Sequence, residues 1–168
     1  PKYGEIGRNA LTLTVVLPTG EIIKTGRKVM KSSAGYDLTQ LFIGAEGTLG
    51  IITEATLMVR PLPEHSEMNL YIFKEFREAI RFLMEVKKSN LEPSHMRALD
   101  RHGIFLSLEE LGLKPGDWDG LVPIKFEGLK EVAKCQMEEA HKLAIKLGGE
   151  PLGKERCPAY LTDDTAWY

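Results

Sequence analysis

Cysteine is scarce in this chain. Its 168 residues hold two, Cys135 and Cys157, too few for a disulfide framework, so a reducing setting is the default. Long apolar runs are missing: none approaches the roughly 18 residues of a membrane-spanning helix. No signal-peptide pattern opens the chain. An excess of one charge is missing as well. Lys and Arg number 22 against 24 Asp and Glu, a net charge of −2, which gives no electrostatic reason to expect nucleic acid or an anionic membrane as partner. The histidines, His65, His95, His102 and His141, show no H-E-x-x-H or paired spacing, so no metal site is expected. No Ser-His-Asp order and no activating context for a nucleophilic cysteine is visible. What remains is 43% apolar and 27% charged residues, the composition of a globular protein long enough for one domain or two small ones. A cytoplasmic location is expected.

One stretch organises the rest. In Lys31–Thr53, KSSAGYDLTQLFIGAEGTLGIIT, glycines recur at Gly44, Gly47 and Gly50 between the apolar runs Leu41-Phe42-Ile43 and Ile51-Ile52. Glycines at that spacing let a backbone turn tightly and lie against something large, because no Cβ intervenes. A glycine-rich turn between packed elements explains the spacing equally well. Asp37 is expected to cap a short helix starting at Leu38, with Gln40 as its reciprocal partner. The capping role is preferred for Asp37 over any role in binding.

Around this stretch the pattern divides in two. LTLTVVL (Leu11–Leu17), the Pro18-Thr19-Gly20 turn and Glu21–Thr25 read as a β-hairpin. Arg27–Met30 is expected to add a short strand, and Ile51–Val59 a longer one. Pro61-Leu62-Pro63 then forms a stiff break, which separates residues 1–62 from residues 63–168. Beyond it strands and helices alternate. Met68–Phe73, Met96–Leu99 and Leu121–Phe126 read as strands. A helix presents Phe76, Ala79, Ile80, Leu83 and Val86 on one face, and Ile104–Leu111 has helical spacing but is short. The longest helix, Leu129–Leu147, carries Val132, Ala133, Gln136, Met137, Ala140, Leu143 and Leu147 as a stripe and ends at Gly148-Gly149. TDDTAWY reads as the start of a further helix. The order predicts an α+β chain whose second half is an antiparallel sheet with helices on one face.

The letters themselves carry more. KSSAGYDLTQLFIGAEGTLGIITEATLMVRPLP resembles the signature of the FAD-linked oxidases of the vanillyl-alcohol-oxidase type. That family includes the glycolate oxidase flavin subunit, D-lactate dehydrogenase and alkylglycerone-phosphate synthase. Its G-S-E-G-T-L-G-I-I-T run stands here as GAEGTLGIIT, with Ala45 in place of the serine. The resemblance spans essentially the whole chain. It implies that residues 1–62 are the C-terminal part of a mainly β FAD-binding domain and that residues 63–168 are a truncated cap domain shaping the substrate site. It implies FAD as cofactor, with Glu46, Gly47, Thr48, Leu49, Gly50, Ile51 and Ile52 wrapping it through their backbone. Tyr3 is a further candidate at the flavin or an ordinary surface tyrosine. Tyr36 either walls the flavin site or packs. The chain opens on Pro1 without a methionine, at a point that resembles the stretch just after the family's pyrophosphate-binding glycine loops. It is therefore expected to be a piece lacking the first flavin-binding portion and the C-terminal part, where many members carry an H-x-H motif.

Arg97 is the candidate substrate-binding residue. Its setting, PSHMRALD, resembles the P-A-S-I-R-L-M-D pattern of the synthase branch, where the arginine is important for activity. A surface ion pair with Asp100 or Asp37 is the competing reading. FEGLKEVAKCQMEEAHKLAIKLGGEPLGKE also resembles the synthase, whereas KSSAGYDL looks more like the hydroxy-acid dehydrogenases. The resemblance implies an FAD-dependent oxidoreductase that oxidises a small 2-hydroxy acid, such as glycolate or D-lactate, by hydride transfer to flavin. Synthase-like chemistry is the alternative within the class, and a non-catalytic subunit or assembly module the alternative outside it. No residue of the chain is singled out as the catalytic base. A homo-oligomer or a second chain completing the flavin site is the expected partner.

Overall fold

The computed structural model describes residues 2–30, 35–104 and 116–153. They form two compact units, one covering Tyr3–Leu62 and the other running from Pro63 onward together with Lys2.

The first unit is a three-stranded antiparallel sheet with two short helices. A helical turn, α1 (Ile6–Asn9), leads into β1 (Ala10–Val16), followed by β2 (Ile22–Gly26), α2 (Leu38–Phe42) and β3 (Ile51–Leu57). The strand order is β2-β1-β3, so β1 is central. The alternation of LTLTVV buries Leu13 and Val15, which pack with Phe42 and, at the margin, with Leu17, Ile23 and Ile43. The hairpin closes through Gly20, at φ +86°, and a 2.8 Å bond from Leu17 N–H to Glu21 C=O. Arg27–Met30 is not a strand but a series of bends. Gly26 ends β2 by turning to φ +72°, outside the extended region, so the chain leaves the sheet there. Asp37 caps α2 as expected, accepting from Gln40 N–H at 3.2 Å. The Gln40 side chain does not return that bond. It donates to Gly7 C=O at 3.0 Å, tying α2 to α1.

The second unit contains β4 (His65–Phe73), α3 (Phe76–Lys88), β5 (His95–Met96), β6 (Leu99–Asp100), a helical turn at 101–104, β7 (Gly120–Gly128), α4 (Lys130–Lys146) and β8 (Glu150–Pro151). Every pairing is antiparallel. β7 lies between β4 on one side and β5 and β6 on the other, with β8 outside β4. On one face Tyr71, Phe73, Val122, Ile124 and Phe126 pack against Ala79, Phe82 and Val86 of α3 and Ala133, Ala140 and Ala144 of α4. The alanines allow close approach of the long helix. On the other face Leu70, Leu121 and Ile104 form a smaller cluster with Ile72, Leu99, Trp118 and Leu152.

Three expectations need correction here. The apolar face of α3 is centred on Phe82, fully buried, while Ile80 is 38% exposed, because the inward stripe runs through Ala79, Phe82 and Val86. Val132 is likewise outside the stripe of α4, 48% exposed. The strand expected over Met96–Leu99 is two strands interrupted at Arg97-Ala98. The register pairs His95 with Lys125, Met96 with Ile124, Leu99 with Leu121 and Asp100 with Gly120. Pro123 thus falls opposite the gap, and it has no N–H to give to a ladder. Glu75 and Glu78 form a capping box at the start of α3. Gly148, at φ +80°, ends α4, with Gly149 N–H bonded to Ala144 C=O at 2.8 Å. Among the described residues no helix is long and apolar enough to cross a membrane. Residues 105–111 of the expected short helix, the terminal TDDTAWY and Cys157 lie outside the described residues.

Candidate functional site

The glycine stretch forms an open turn on the first unit. Ala45 N–H bonds to Phe42 C=O at 3.2 Å, and Thr48 N–H bonds to Ala45 C=O at 2.9 Å. The Thr48 hydroxyl donates to the same carbonyl at 2.6 Å. Gly44 and Gly47 stand at φ +79° and +80°, with nothing within 4 Å of where a Cβ would lie. Glu46 shares the left-handed region at φ +50°, uncommon for a residue with a side chain. Gly50 serves another purpose. Its φ is ordinary, but a Cβ there would sit 2.8 Å from Val16 O and 2.7 Å from Val15 Cγ1, so glycine lets β3 approach β1.

The candidate flavin residues are therefore brought together, and they are open. Glu46, Gly47, Thr48, Leu49, Ile51 and Ile52 are all exposed, with Ile51 at 67%. An exposed strip of backbone flanked by leucine and isoleucine side chains fits one side of a flat, partly apolar cofactor with polar oxygens. Tyr3 lies elsewhere on the unit. Its carbonyl accepts from Asn9 Nδ2 at 3.3 Å, and its ring lies under the Arg60 guanidinium, 5.8 Å from the centroid. Tyr36 is 97% exposed and does not pack within the unit. It lines, with Arg8, Arg27 and Asp37, a cleft of about 330 Å³ beside α2 that Glu46–Ile52 does not enter.

Arg97 belongs to the second unit, half-buried in the break between β5 and β6. Two residues that the sequence reading passed over flank its face. Lys125 and Glu127 stand two positions apart on β7, hence on the same face, with Lys125 Nζ 2.6 Å from Glu127 Oε1. Their side chains are 3% and 5% exposed. Lys125 is the register partner of His95, so the His95 ring shares that face too. Burial pushes His95 down to about 4, and the nearby charges of Arg97 and then Lys125 add to the effect. Lys2 Nζ donates to Glu127 C=O at 2.5 Å, and the backbone of Ser94 bonds to Lys125 C=O at 2.8 Å. The spacing K-F-E inside an apolar strand was the available signal for this pair. Among the described residues no three His, Cys, Asp or Glu side chains stand together as a metal ligand set.

On the helix-bearing side of the sheet, the Tyr71 hydroxyl meets His141 Nδ1 at 3.1 Å and accepts from Asn69 Nδ2 at 3.3 Å. Burial raises this phenol to about 12, slightly offset by the Asn69 bond.

An antiparallel sheet with helices on one face, following a small β unit with a glycine turn, is the arrangement of the FAD-binding oxidases with a cap domain. The solved structure of an alkyldihydroxyacetonephosphate synthase superposes with a TM-score of 0.74 at 26% identity, over 99% of this chain and 33% of that one. No protein-family model matches. Among curated proteins, D-lactate dehydrogenase of Anaerostipes hadrus is 38% identical over 174 residues, covering 99% of this chain and 36% of its own length. A glycolate oxidase subunit of Bacillus subtilis is 33% identical over 147 residues, 86% of this chain and 31% of that one. The chain belongs to the FAD-linked oxidoreductase family. It spans between 16% and 36% of the length of such relatives.

Proposed function

We propose that this chain supplies one wall of an FAD site and part of the substrate-binding cap of an enzyme oxidising a small 2-hydroxy acid, such as glycolate or D-lactate. The observation that carries the reading is the 38% identity to a D-lactate dehydrogenase along 99% of the chain. FAD, when bound, would accept the hydride from the substrate carbon. The turn from Glu46 to Ile52 and the exposed side chains of Leu49, Ile51 and Ile52 would hold one side of the cofactor. Arg97 would take the substrate carboxylate, its planar fork suited to two parallel hydrogen bonds. A second polypeptide, or a further portion of the same one, would complete the cofactor site, and the cytoplasm is the proposed setting.

A second reading rests on the TM-score of 0.74 to the alkyldihydroxyacetonephosphate synthase, together with the placement of Arg97. In it, Arg97 would bind a phosphate instead of a carboxylate. The test is substrate discrimination in material purified from the native source through a tag on this chain. Flavin-dependent dye reduction by glycolate or D-lactate is expected. Exchange of an acyl for an alkyl group on a glycerone phosphate ester would transfer the assignment to the second reading. Absence of both activities, with flavin bound, would sink both.

A further inference from the structure

The most heavily buried charges among the described residues are not those singled out by the sequence. Lys125 and Glu127 sit within β7, in contact at 2.6 Å and shielded from water. A lysine and a glutamate taken out of water are costly to keep, and replacing such a pair with apolar side chains is often neutral or stabilising. Packing alone is thus a poor reason for the pair, while its position offers a better one. Lys125 is paired in register with His95, and Arg97 follows two residues later, at the break opposite Pro123. Three nitrogen-bearing side chains thus belong to one patch, and the carboxylate of Glu127 clamps the lysine.

We propose that Lys125, clamped by Glu127, is a positioning residue for His95 and, beside burial and Arg97, helps set which charge the patch presents. The proposal rests on the reading of Arg97 as the group that meets the substrate anion.

The physical argument is one of crowding. His95 is half-buried, and the charges that bear on it are Arg97 at the break and Lys125 on β7, in that order after burial itself. Glu127 lies on the far side of Lys125, with Lys2 bonded to its carbonyl. On β4 the residues of the same face are Ser66 and Met68, which carry no charge. A cationic imidazole in that company would be repelled, so His95 stays neutral at physiological pH, about 4 being its titration midpoint. A neutral imidazole donates through one nitrogen and accepts through the other. That suits a hydroxyl group next to a carboxylate held by Arg97, the chemistry of a 2-hydroxy acid. A protonated imidazole could only donate. The lysine therefore acts on the substrate through His95, and Glu127 keeps the lysine at its post.

The experiment follows the His95 ring signals by NMR against pH in the full chain, in wild type, Lys125→Met and Glu127→Gln. In wild type the ring is expected to take up its proton only near pH 4. In Lys125→Met its proton affinity is expected to rise about tenfold, the effect of removing one nearby charge in a partly buried site. In Glu127→Gln, with the negative charge beside the lysine removed, the midpoint is expected to fall further. Should Lys125→Met fail to fold, Glu127→Gln and Lys125→Arg decide. The arginine variant should keep the low midpoint. An His95 midpoint that does not move in Glu127→Gln overturns the proposal, as does an unmoved midpoint in a folded Lys125→Met. Glycolate is the probe for the underlying reading. A glycolate-dependent shift of the His95 and Arg97 signals supports both. Its absence where the midpoints move as stated sinks the substrate reading of Arg97 and leaves the charge coupling established.

Discussion

Arg97 falls opposite Pro123 in the register that pairs His95 with Lys125 and Leu99 with Leu121. A proline at this place is what interrupts the ladder and leaves the arginine in a break instead of a regular strand. Replacing Pro123 with valine restores an N–H. The expected outcome is that β5 and β6 join into one strand, read as slow hydrogen exchange of the new residue-123 amide. If that amide exchanges as fast as an open chain, the break has another cause.

Three glycines of the first unit should rank by what surrounds them. A Cβ at Gly26 would meet Leu11 O at 2.1 Å, and the residue stands at φ +72°. Gly26→Ala combines backbone strain and collision and should cost more than about 3 kcal/mol. Gly50→Ala meets only the collision with β1 and should cost roughly 1–3 kcal/mol. Gly47→Ala, in open space, should cost about 1 kcal/mol from its positive φ alone. Denaturant unfolding of the three variants checks the order, and a Gly47 variant worse than Gly26 would contradict it.

Acid should weaken the second unit through His95. The folded group titrates near 4, below its ordinary value of 6.5, so the unfolded chain binds more protons between those values. Stability is therefore lost as pH falls from about 6.5 to about 4 and changes no further below that through this group. For a half-buried ring the loss is on the order of 2 kcal/mol. His95→Gln should flatten that part of a stability–pH curve, and an unchanged curve in the variant would refute the assignment.

Alkali should act through Tyr71. Its hydroxyl is held protonated to about 12, whereas an unfolded tyrosine loses its proton near 10. The folded state binds the extra proton in that window, so stability declines as pH rises from about 10 to about 12. Ultraviolet titration should show a late-ionising tyrosine that disappears in Tyr71→Phe. That substitution keeps the ring in place and should cost about 1 kcal/mol for the lost bonds to Asn69 and His141.

The chain by itself is expected to bind FAD weakly or not at all. Ligand pockets bury about 70–90% of a ligand's surface, and Leu49, Ile51 and Ile52 form one open side. Calorimetric titration that finds micromolar or tighter affinity for the isolated chain would contradict this.

The periodic elements were readable in the residues. LTLTVVL alternates because one side of β1 meets Phe42 and the other does not. Asp37 announces α2 because a carboxylate before a helix meets its first N–H groups. The boundaries at Gly26 and Gly148 follow from glycine's freedom at positive φ. What sequence periodicity missed was set by partners distant in the chain. Phe82 replaces Ile80 at the centre of α3 because the sheet lies under the stripe one residue further round. The break at Arg97 is written in Pro123, some 26 positions away, and becomes legible only once the two are known to be neighbours. Lys125 and Glu127 look like the solvated side of a strand until helices on one face and a second cluster on the other leave that strand no solvated side.

The three-stranded sheet of the first unit has a last consequence. Among the described residues no strand pairs with the outer rims of β2 and β3, and Ile22 and Ile51 on them are 68% and 67% exposed. A rim of that kind is a template onto which any extended peptide can add by main-chain hydrogen bonds. Lys24 and Glu54 face each other's neighbours across β1 at Thr14 and place one charge of each sign on the two rims, so that like rims repel while unlike rims attract. Concentrated solutions of the chain should therefore grow head-to-tail, β2 of one molecule against β3 of the next, and the growth should slow when salt screens the two charges.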